Sequence, residues 1–142
     1  MLRLVDRFNE EDIQEVFRIT DECYPGDWYD RDQVRKILMK YPAWFIDEGG
    51  VKANLISEIS KGQPYVWSVC TRASHRGHGC ATTLLKAFEK HYTEAGYHKP
   101  WLQVRVENPA QKLYFDLGYR VAAFEANLYG AQQHGMSMRK SI

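Results

Sequence analysis

The feature that most constrains this chain is an abrupt change of pattern between Ser68 and Phe88, in the segment SVCTRASHRGHGCATTLLKAF. The segment opens as a β-branched run typical of a strand, passes through a stretch rich in Arg, His and Gly, and ends with the apolar spacing of an amphipathic helix. A strand that leads through a glycine-containing loop into a helix leaves the first helical N–H groups without partners, beside the positive end of the helix dipole. The pattern therefore predicts an anion site at this junction.

Strand and helix patterns alternate around this junction. An opening strand, LRLVDRF, precedes two helices that begin after the N-cap residues Asn9 and Asp30. A hairpin signal in AWFIDEGGVKANLISEIS and a break at KGQP then predict three successive strands, ending with YVWSVCT. After the glycine-rich loop come a long helix with a C-cap at Gly96, the strand KPWLQVRVE, a short helix ending at Gly118, and two last strands. This order predicts a mixed α/β domain.

Length, charge and cysteine content limit the class of protein. The chain has 142 residues, of which 44% are hydrophobic, enough for the core of one domain over residues 1–142. A formal charge of +1 argues against broad nucleic-acid or membrane-surface binding, and the amino terminus lacks a signal-peptide pattern, so we expect a cytoplasmic protein. The cysteines Cys23, Cys70 and Cys80 have no paired spacing, which predicts reduced thiols and neither a disulfide framework nor a zinc site.

The loop RGHGCAT has the parts that a pyrophosphate needs. Gly77 and Gly79 carry no side chain that would keep a phosphate from the backbone, and Arg76 adds a charged, forked donor. The loop lacks the Lys-Ser/Thr pair of a nucleoside-triphosphate site and the third glycine of a dinucleotide site. On the glycines alone, a tight turn that caps the helix explains the loop equally well.

The loop and a second motif together resemble the GNAT superfamily of N-acetyltransferases. Residues 76–81 match R/Q-x-x-G-x-G/A, the signature with which that family binds the pyrophosphate of acetyl-coenzyme A. The run VENPAQKLYFDLGY resembles the family's second motif, N-x-x-A-x-x-L-Y-x-x-x-G-F/Y. The resemblance covers nearly the whole chain, because the predicted element order is that of the superfamily. It implies a mixed, mostly antiparallel central sheet of about six to seven strands, flanked by about four helices.

The resemblance implies roles for named residues, with acetyl-coenzyme A as co-substrate and no metal. Val69, Cys70 and Thr71 on the strand before the loop would hold the acetyl group and the pantetheine arm. Backbone N–H groups there can stabilise the oxyanion if a bulge or splay frees them from the ladder. Tyr114 would contact the coenzyme and act as the general acid for the leaving thiolate, and Asn108 would contact the cofactor. The pyrophosphate would lie on Arg76, Gly77, His78, Gly79, Cys80, Ala81 and Thr82.

The general base is not identified by the resemblance. The stretches YPGDWYDRDQV, LQVRVEN and ANLY look most like the ribosomal-protein alanine acetyltransferases. Gln103 stands where those enzymes have a Glu taken to be the base, and an amide cannot accept the proton. Glu107 is the first candidate for its position beside the motif, with Glu58 and Glu125 as alternatives on other strands. Loss of the amine proton to solvent is a further alternative.

Other roles and functions remain open on the sequence. On a short helix, Tyr114 is more typical of core packing beside Leu113 and Leu117, and the family motif favours the catalytic role. Asn108 lies six positions before Tyr114, where the family pattern has seven, so Glu107 can occupy the Asn slot instead. Together with Gln103, this shortened motif keeps a non-catalytic acyl-coenzyme A binding domain as the alternative to an enzyme.

The acceptor is a primary amine of unspecified class. The expected reaction is its direct attack on acetyl-coenzyme A in a ternary complex, and peptide amino termini, lysine side chains and small amines all fit. No nucleic-acid or membrane partner is expected, and the chain can be a monomer or a homodimer. The stretch PGDWYD offers acids and aromatics suited to a cationic amine, although a surface turn explains it as well: Asp27, Trp28, Tyr29 and Asp30.

Overall fold

A computed structural model describes residues 1–24 and 29–142. The strands are β1 (Leu2–Leu4), β2 (Ala43–Asp47), β3 (Val51–Ser60), β4 (Gln63–Thr71), β5 (Trp101–Arg105), β6 (Arg120–Glu125) and β7 (Gly135–Arg139). The α-helices are α1 (Glu10–Cys23), α2 (Arg31–Lys40), α3 (Cys80–Glu94) and α4 (Gln111–Asp116). The predicted mixed α/β class is confirmed.

The strands form one seven-stranded sheet in the order β1-β2-β3-β4-β5-β7-β6. Neighbouring strands are antiparallel except for β4 and β5, which run parallel because α3 connects them across one face of the sheet. The last strand, β7, inserts between β5 and β6. The predicted, mostly antiparallel sheet is therefore confirmed, and its one parallel pair in the described chain is β4 with β5.

Local signals set the helix boundaries. The Asn9 side chain accepts the Glu11 N–H at 2.9 Å, and the Asp30 carboxylate accepts the Asp32 N–H at 2.8 Å, so both predicted N-caps are confirmed. The C-cap of α3 is one residue earlier than predicted, because Gly96 takes the left-handed position (φ 96°) that follows the cap.

Each face of the sheet buries its own apolar cluster. One face carries α1 and α2, and the other carries α3 and α4, whose apolar side chains pack on the strands. Because a strand alternates its side chains, the fully buried Leu55 and Ile56 of β3 supply opposite clusters. None of the helices in the described ranges is long and apolar enough to cross a bilayer.

Candidate active site

The two parallel strands at the centre of the sheet part after two residue pairs. In the described chain, β4 and β5 pair at Tyr65 with Trp101 and at Val66 with Leu102, and nowhere beyond. Each strand keeps its outer partner, β3 or β7, for the rest of its length. A cleft therefore opens between them, and a cavity of about 260 Å³ lies in it.

A bulge in β4 lies where the cleft begins. Ile56 of β3 pairs with Ser68, whereas the next residue, Ser57, pairs with Val66, so Trp67 is the extra residue. A bulge bends and twists its strand, which explains why β4 leaves β5 at this point. The irregularity thus lies just before Val69, where the sequence predicts that a bulge or splay frees backbone N–H groups.

The backbone of β4 alternates between β3 and the cleft. The Arg72 N–H donates to the Lys52 carbonyl at 2.9 Å, so the backbone at Arg72 points toward β3. Because successive residues of an antiparallel strand point their backbone groups to opposite sides, Thr71 and Val69 face the cleft and Cys70 faces β3. The Cys70 side chain is 2% exposed and packs in the cluster under α1. Two of the three predicted β4 residues therefore present their backbone to the cleft.

The glycine-rich loop forms an open cradle at the start of α3. Gly77 and Gly79 have φ values of 81° and 78°, which side-chain-bearing residues rarely adopt, and a Cβ at either position would extend into open space. Gly79 is the N-cap, and no side chain among the described residues caps the helix. The Arg76 Nε donates to the Thr71 carbonyl at 3.1 Å, which holds the guanidinium beside the loop. This arrangement fits a pyrophosphate.

A second cavity, of about 340 Å³, lies against this cradle. His78 is outside it, because its Nδ1 lies 3.1 Å from the His75 carbonyl and its side chain lines a neighbouring cavity. Among residues 1–24 and 29–142, no three His, Cys, Asp or Glu side chains are grouped so that they could hold a metal ion. The predicted residues that do line this cavity are Thr71, Arg76, Gly77, Gly79, Cys80, Ala81 and Thr82.

Tyr114 projects from α4 into the cleft between β4 and β5. Its ring also packs in the core, in a T-shaped contact with Tyr119 at 6.5 Å between centroids, and the residue is only 8% exposed. Burial, with smaller contributions from Cys70 and Tyr129, raises the pKa of Tyr114 to about 12. The phenol therefore keeps its proton at neutral pH. Tyr114 both packs in the core and lines the cleft, so the two predicted roles do not exclude each other.

Asn108 and Glu107 both follow β5, but they line different cavities. The Asn108 side chain accepts the Ala110 N–H at 2.9 Å, which shapes the turn into α4, and the residue also borders the cleft. Glu107 is exposed in that turn and lines a separate cavity, beside Lys112 and Phe115. The structure does not bring Glu107 to the cleft that contains Tyr114, because the chain has already left the sheet there.

A hydrogen-bonded chain of side chains borders the cleft on the β5 side. The Tyr65 hydroxyl donates to Gln103 Oε1 at 2.8 Å, and Gln103 Nε2 donates to the Glu125 carboxylate at 2.8 Å. The Gln103 amide thus binds a carboxylate supplied by β6. The sequence offers Glu125 only as an alternative base, and no local pattern indicates these hydrogen bonds, because β7 separates β5 from β6 in the sheet.

Glu58, the other alternative base, lies opposite Tyr65 in the β3–β4 ladder, and burial raises the pKa of its carboxyl group. Its side chain does not line the cleft cavity formed by the described residues. No hydrogen bond ties Glu58 to Tyr65 or Gln103 among the bonds that the described chain forms. Glu58 is therefore less directly connected to the cleft than Glu125.

Aromatic side chains from separate segments surround the mouth of the cleft. Tyr29, predicted as an acceptor contact, donates its hydroxyl to Asp21 at 2.6 Å and meets Trp67 edge-on at 6.1 Å. Asp30, from the same stretch, is used as the α2 cap, and Asp27 and Trp28 lie outside the described residues. The aromatic residues that line the cavity are Tyr24, Tyr29, Tyr65, Trp67, Tyr114 and Tyr129.

Comparisons with known proteins agree with the motifs. A sequence model of the acetyltransferase (GNAT) family matches residues 13–119. An uncharacterized N-acetyltransferase from Methanocaldococcus jannaschii is 27% identical over 122 residues, which cover 82% of this chain and 78% of that protein.

Solved structures share the fold. The ribosomal-protein-S18-alanine N-acetyltransferase from Escherichia coli has a TM-score of 0.82 at 18% identity, covering 100% of this chain and 94% of that one. One chain in the structure of the NatC complex bound to Gag peptide and CoA has a TM-score of 0.90 at 15% identity, covering 100% of this chain and 98% of that one. The predicted resemblance to the GNAT superfamily is thereby confirmed, and the chain belongs to the GNAT family of acetyltransferases.

Proposed function

We propose that residues 1–142 form one domain that transfers the acetyl group of acetyl-coenzyme A to a primary amine by direct attack in a ternary complex. The observation that carries this proposal is the cleft between β4 and β5. The glycine-rich cradle lies where β4 leads into α3, and the protonated Tyr114 lies inside the cleft. Donor and acceptor can therefore meet at one place.

The cradle would hold the pyrophosphate of the donor. The backbone at Gly77 and Gly79 allows close approach, and the unpaired N–H groups of the first α3 turn, from Cys80 to Thr82, suit an anion. Arg76 adds a charged donor beside them. Val69 and Thr71 face the cleft with their backbone, so their N–H groups can stabilise the oxyanion that develops on the acetyl carbonyl. Cys70 would contribute through packing, because its backbone is turned to β3.

Tyr114 would supply the proton for the departing thiolate. The bound donor supplies an acetyl thioester, whose thiol is a far better leaving group than an amine. The Tyr114 hydroxyl is protonated at neutral pH, since burial holds its pKa at about 12, and it lies in the cleft where the thiolate forms. A positioned side-chain acid of this kind typically accelerates a reaction by about 10²–10⁴-fold.

The chain from Tyr65 to Glu125 would receive the acceptor amine. Because the Tyr65 hydroxyl donates to Gln103, its oxygen can accept a hydrogen bond from an ammonium group in the cleft. The Glu125 carboxylate at the far end polarises this chain and favours a cation at the near end. Glu125 is thus proposed as a positioning residue in place of Glu107, and the amine proton leaves to solvent because an amide cannot relay it.

Glu125→Gln is expected to weaken binding of a cationic amine and to raise its KM about 10-fold, the effect of losing one charge-assisted hydrogen bond to the bound ammonium. The loss should be largest below the pKa of the amine and should shrink as pH rises through it, because the neutral acceptor no longer needs the carboxylate. Kinetics of Glu125→Gln, Glu125→Asp and Glu107→Gln across pH test this prediction. Loss of activity in Glu107→Gln, together with full activity in Glu125→Gln, would show that Glu107 and not Glu125 acts on the amine.

Thiol release from acetyl-coenzyme A tests the proposed function. The purified protein is assayed with peptides that have free amino termini, with lysine peptides, and with small amines. Peptide amines come first, since one structural neighbour is an alanine N-acetyltransferase for a ribosomal protein and another is bound to a peptide. We expect acceptor-dependent thiol release with at least one class. Coenzyme A binding without release in any class would favour the non-catalytic binding domain.

A further inference from the structure

One edge of the sheet ends in a strand whose outer side is open. Strand β6 is the last in the strand order and, among the described strands, pairs only with β7. Residues 120–124 of this strand are all exposed, and the apolar residues Val121 and Phe124 are 59% and 63% exposed. The unpaired backbone groups of an edge strand are a template for another strand. β6 therefore has both the backbone and the apolar side chains that an interface uses.

A bulge places the two apolar residues on one face of the sheet. Val121 pairs with Met138 of β7, and Phe124 pairs with Met136, so Ala122 is the extra residue between them. Both methionines belong to the buried cluster on the α3 and α4 side. Because directly paired residues share a face, Val121 and Phe124 share that face too. In a regular strand, residues three apart would point to opposite faces.

The bulge also makes β6 symmetric about its middle. From Arg120 to Glu125 the order is basic, apolar, two alanines, apolar, acidic. The β7 partners of Arg120 and Glu125 are an even number of residues apart, so these two charged residues share the other face. When two copies of this strand lie antiparallel, each Val121 is opposite Phe124 and each Arg120 is opposite Glu125. The strand is therefore complementary to itself in both shape and charge.

We propose that β6 is a dimer interface, to which β6 of a second copy of this chain adds in antiparallel orientation. The two-fold axis passes through the bulge, and the same surface is used on both sides. Backbone hydrogen bonds on either side of the bulge extend the seven-stranded sheet across both copies. Opposite charges at both ends favour this register over registers that oppose like charges.

The charged residues at the ends of β6 keep groups for this pairing. In the described chain, Arg120 donates through Nη1 to the carbonyls of Phe115 and Tyr119. Glu125 accepts from Gln103 through Oε2. The other guanidinium N–H groups and the second carboxylate oxygen can therefore face each other between the copies. The contact from Gln103 to Glu125 stays intact in the dimer.

A cavity beside β6 offers space for an incoming side chain. It has a volume of about 480 Å³, and Phe115, Val121 and Met138 are among the residues that line it. The cavity stays open because α4 has only six residues and ends before it covers β6. Phe124 of the second copy would lie opposite Val121 and can enter this space. Burial of these exposed apolar side chains would drive association.

Sedimentation over a range of concentrations tests the interface. We expect a reversible dimer of twice the 16.6 kDa chain mass. Phe124→Lys should weaken the dimer about 100-fold, because the two-fold axis makes a cost of about 10-fold act twice. Phe8→Lys is the matched control and should dimerise like wild type, since Phe8 is exposed in the turn after β1, the strand at the opposite edge. Unchanged circular dichroism would show that both variants fold.

Mixed disulfides test the register. Chains that carry Val121→Cys are mixed with chains that carry Phe124→Cys, and the mixture is oxidised. Directly opposed residues have Cα atoms about 4.5–5.5 Å apart, within the reach of a disulfide. We expect the mixture to give covalent dimers with one chain of each kind, joined through the new cysteines. Each variant alone should give far fewer, because neither new cysteine lies opposite itself.

The outcomes separate the interface from acetyl transfer. A monomer at every concentration up to about 100 µM would overturn the proposal, and the bulge would then protect the edge from pairing. A dimer that Phe8→Lys disrupts and Phe124→Lys leaves intact would also overturn it, as would disulfides that form equally well in either cysteine variant alone. None of these measurements depends on catalysis, so failure of the interface and failure of the proposed function are distinguishable.

Discussion

Tyr114→Phe is expected to lower kcat for acetyl transfer about 100-fold or more, while the affinity for coenzyme A stays within about twofold of wild type. The substitution removes one hydroxyl and retains the ring that packs against Tyr119. A group used only when the thiolate departs should affect turnover and leave ground-state binding intact. Single-turnover kinetics and coenzyme A titration by calorimetry measure the two quantities.

Tyr119→Phe is the matched control. Tyr119 lies in the same core cluster and is fully buried, its hydroxyl donates to Glu89 at 2.9 Å, and it does not line the cleft cavity of the described chain. This variant should lose a little stability, because the half-buried Glu89 carboxylate loses one of its two donors and keeps Lys140 Nζ at 2.9 Å, and it should retain wild-type kcat. Equal loss of kcat in both variants would assign the Tyr114 effect to packing.

The pH dependence of the wild type gives a further expectation. Because the pKa of Tyr114 is about 12, deprotonation of Tyr114 should not lower the activity at any pH below about 10.

Gly79→Val is expected to weaken coenzyme A binding about 100-fold, because the added side chain would keep a phosphate from the backbone N–H groups of the cradle. At φ 78°, any side chain costs about 1–2 kcal/mol, and a branched one would fill the open space that a phosphate needs. Calorimetric titration with coenzyme A and thermal unfolding separate the loss of binding from the loss of stability.

Gly62→Val supplies the same backbone strain away from the cradle. Gly62 lies in the turn between β3 and β4 with φ 76°, and a Cβ there also meets open space. Both variants should therefore lower the melting temperature by similar amounts, and Gly62→Val should bind coenzyme A like wild type. Similar weakening of coenzyme A binding in both would mean that strain, and not occupation of the cradle, causes the effect.

The elements that sequence predicted well are those specified by neighbouring residues. The cap at Asn9 acts two residues away, and the left-handed glycines Gly77 and Gly79 need only their own backbone. The class of fold followed because such signals, taken in order, leave few ways to arrange the sheet. The order of strand, glycine-rich loop and helix at this junction is therefore predictable without any tertiary contact.

The parts of the site that sequence missed depend on contacts between distant elements. Its position beside a motif favours Glu107 as a base, but the turn after β5 places Glu107 outside the cleft. The Gln103–Glu125 bond joins residues 22 positions apart across an intervening strand. The bulge at Trp67 is visible only from the β3–β4 register, and it changes which backbone groups of β4 face the cleft. None of these features has a local pattern.

The most direct test of the central claim is a mole-for-mole balance of acetyl transfer in the cleft. Wild-type protein is mixed with acetyl-coenzyme A and the best acceptor from the amine panel, and mass spectrometry measures coenzyme A and acetylated amine over one turnover. We predict equal amounts of the two products, with both reduced about 100-fold or more in Tyr114→Phe at saturating donor. Saturable coenzyme A binding with no acetylated amine, or product formation that Tyr114→Phe leaves unchanged, would contradict the account.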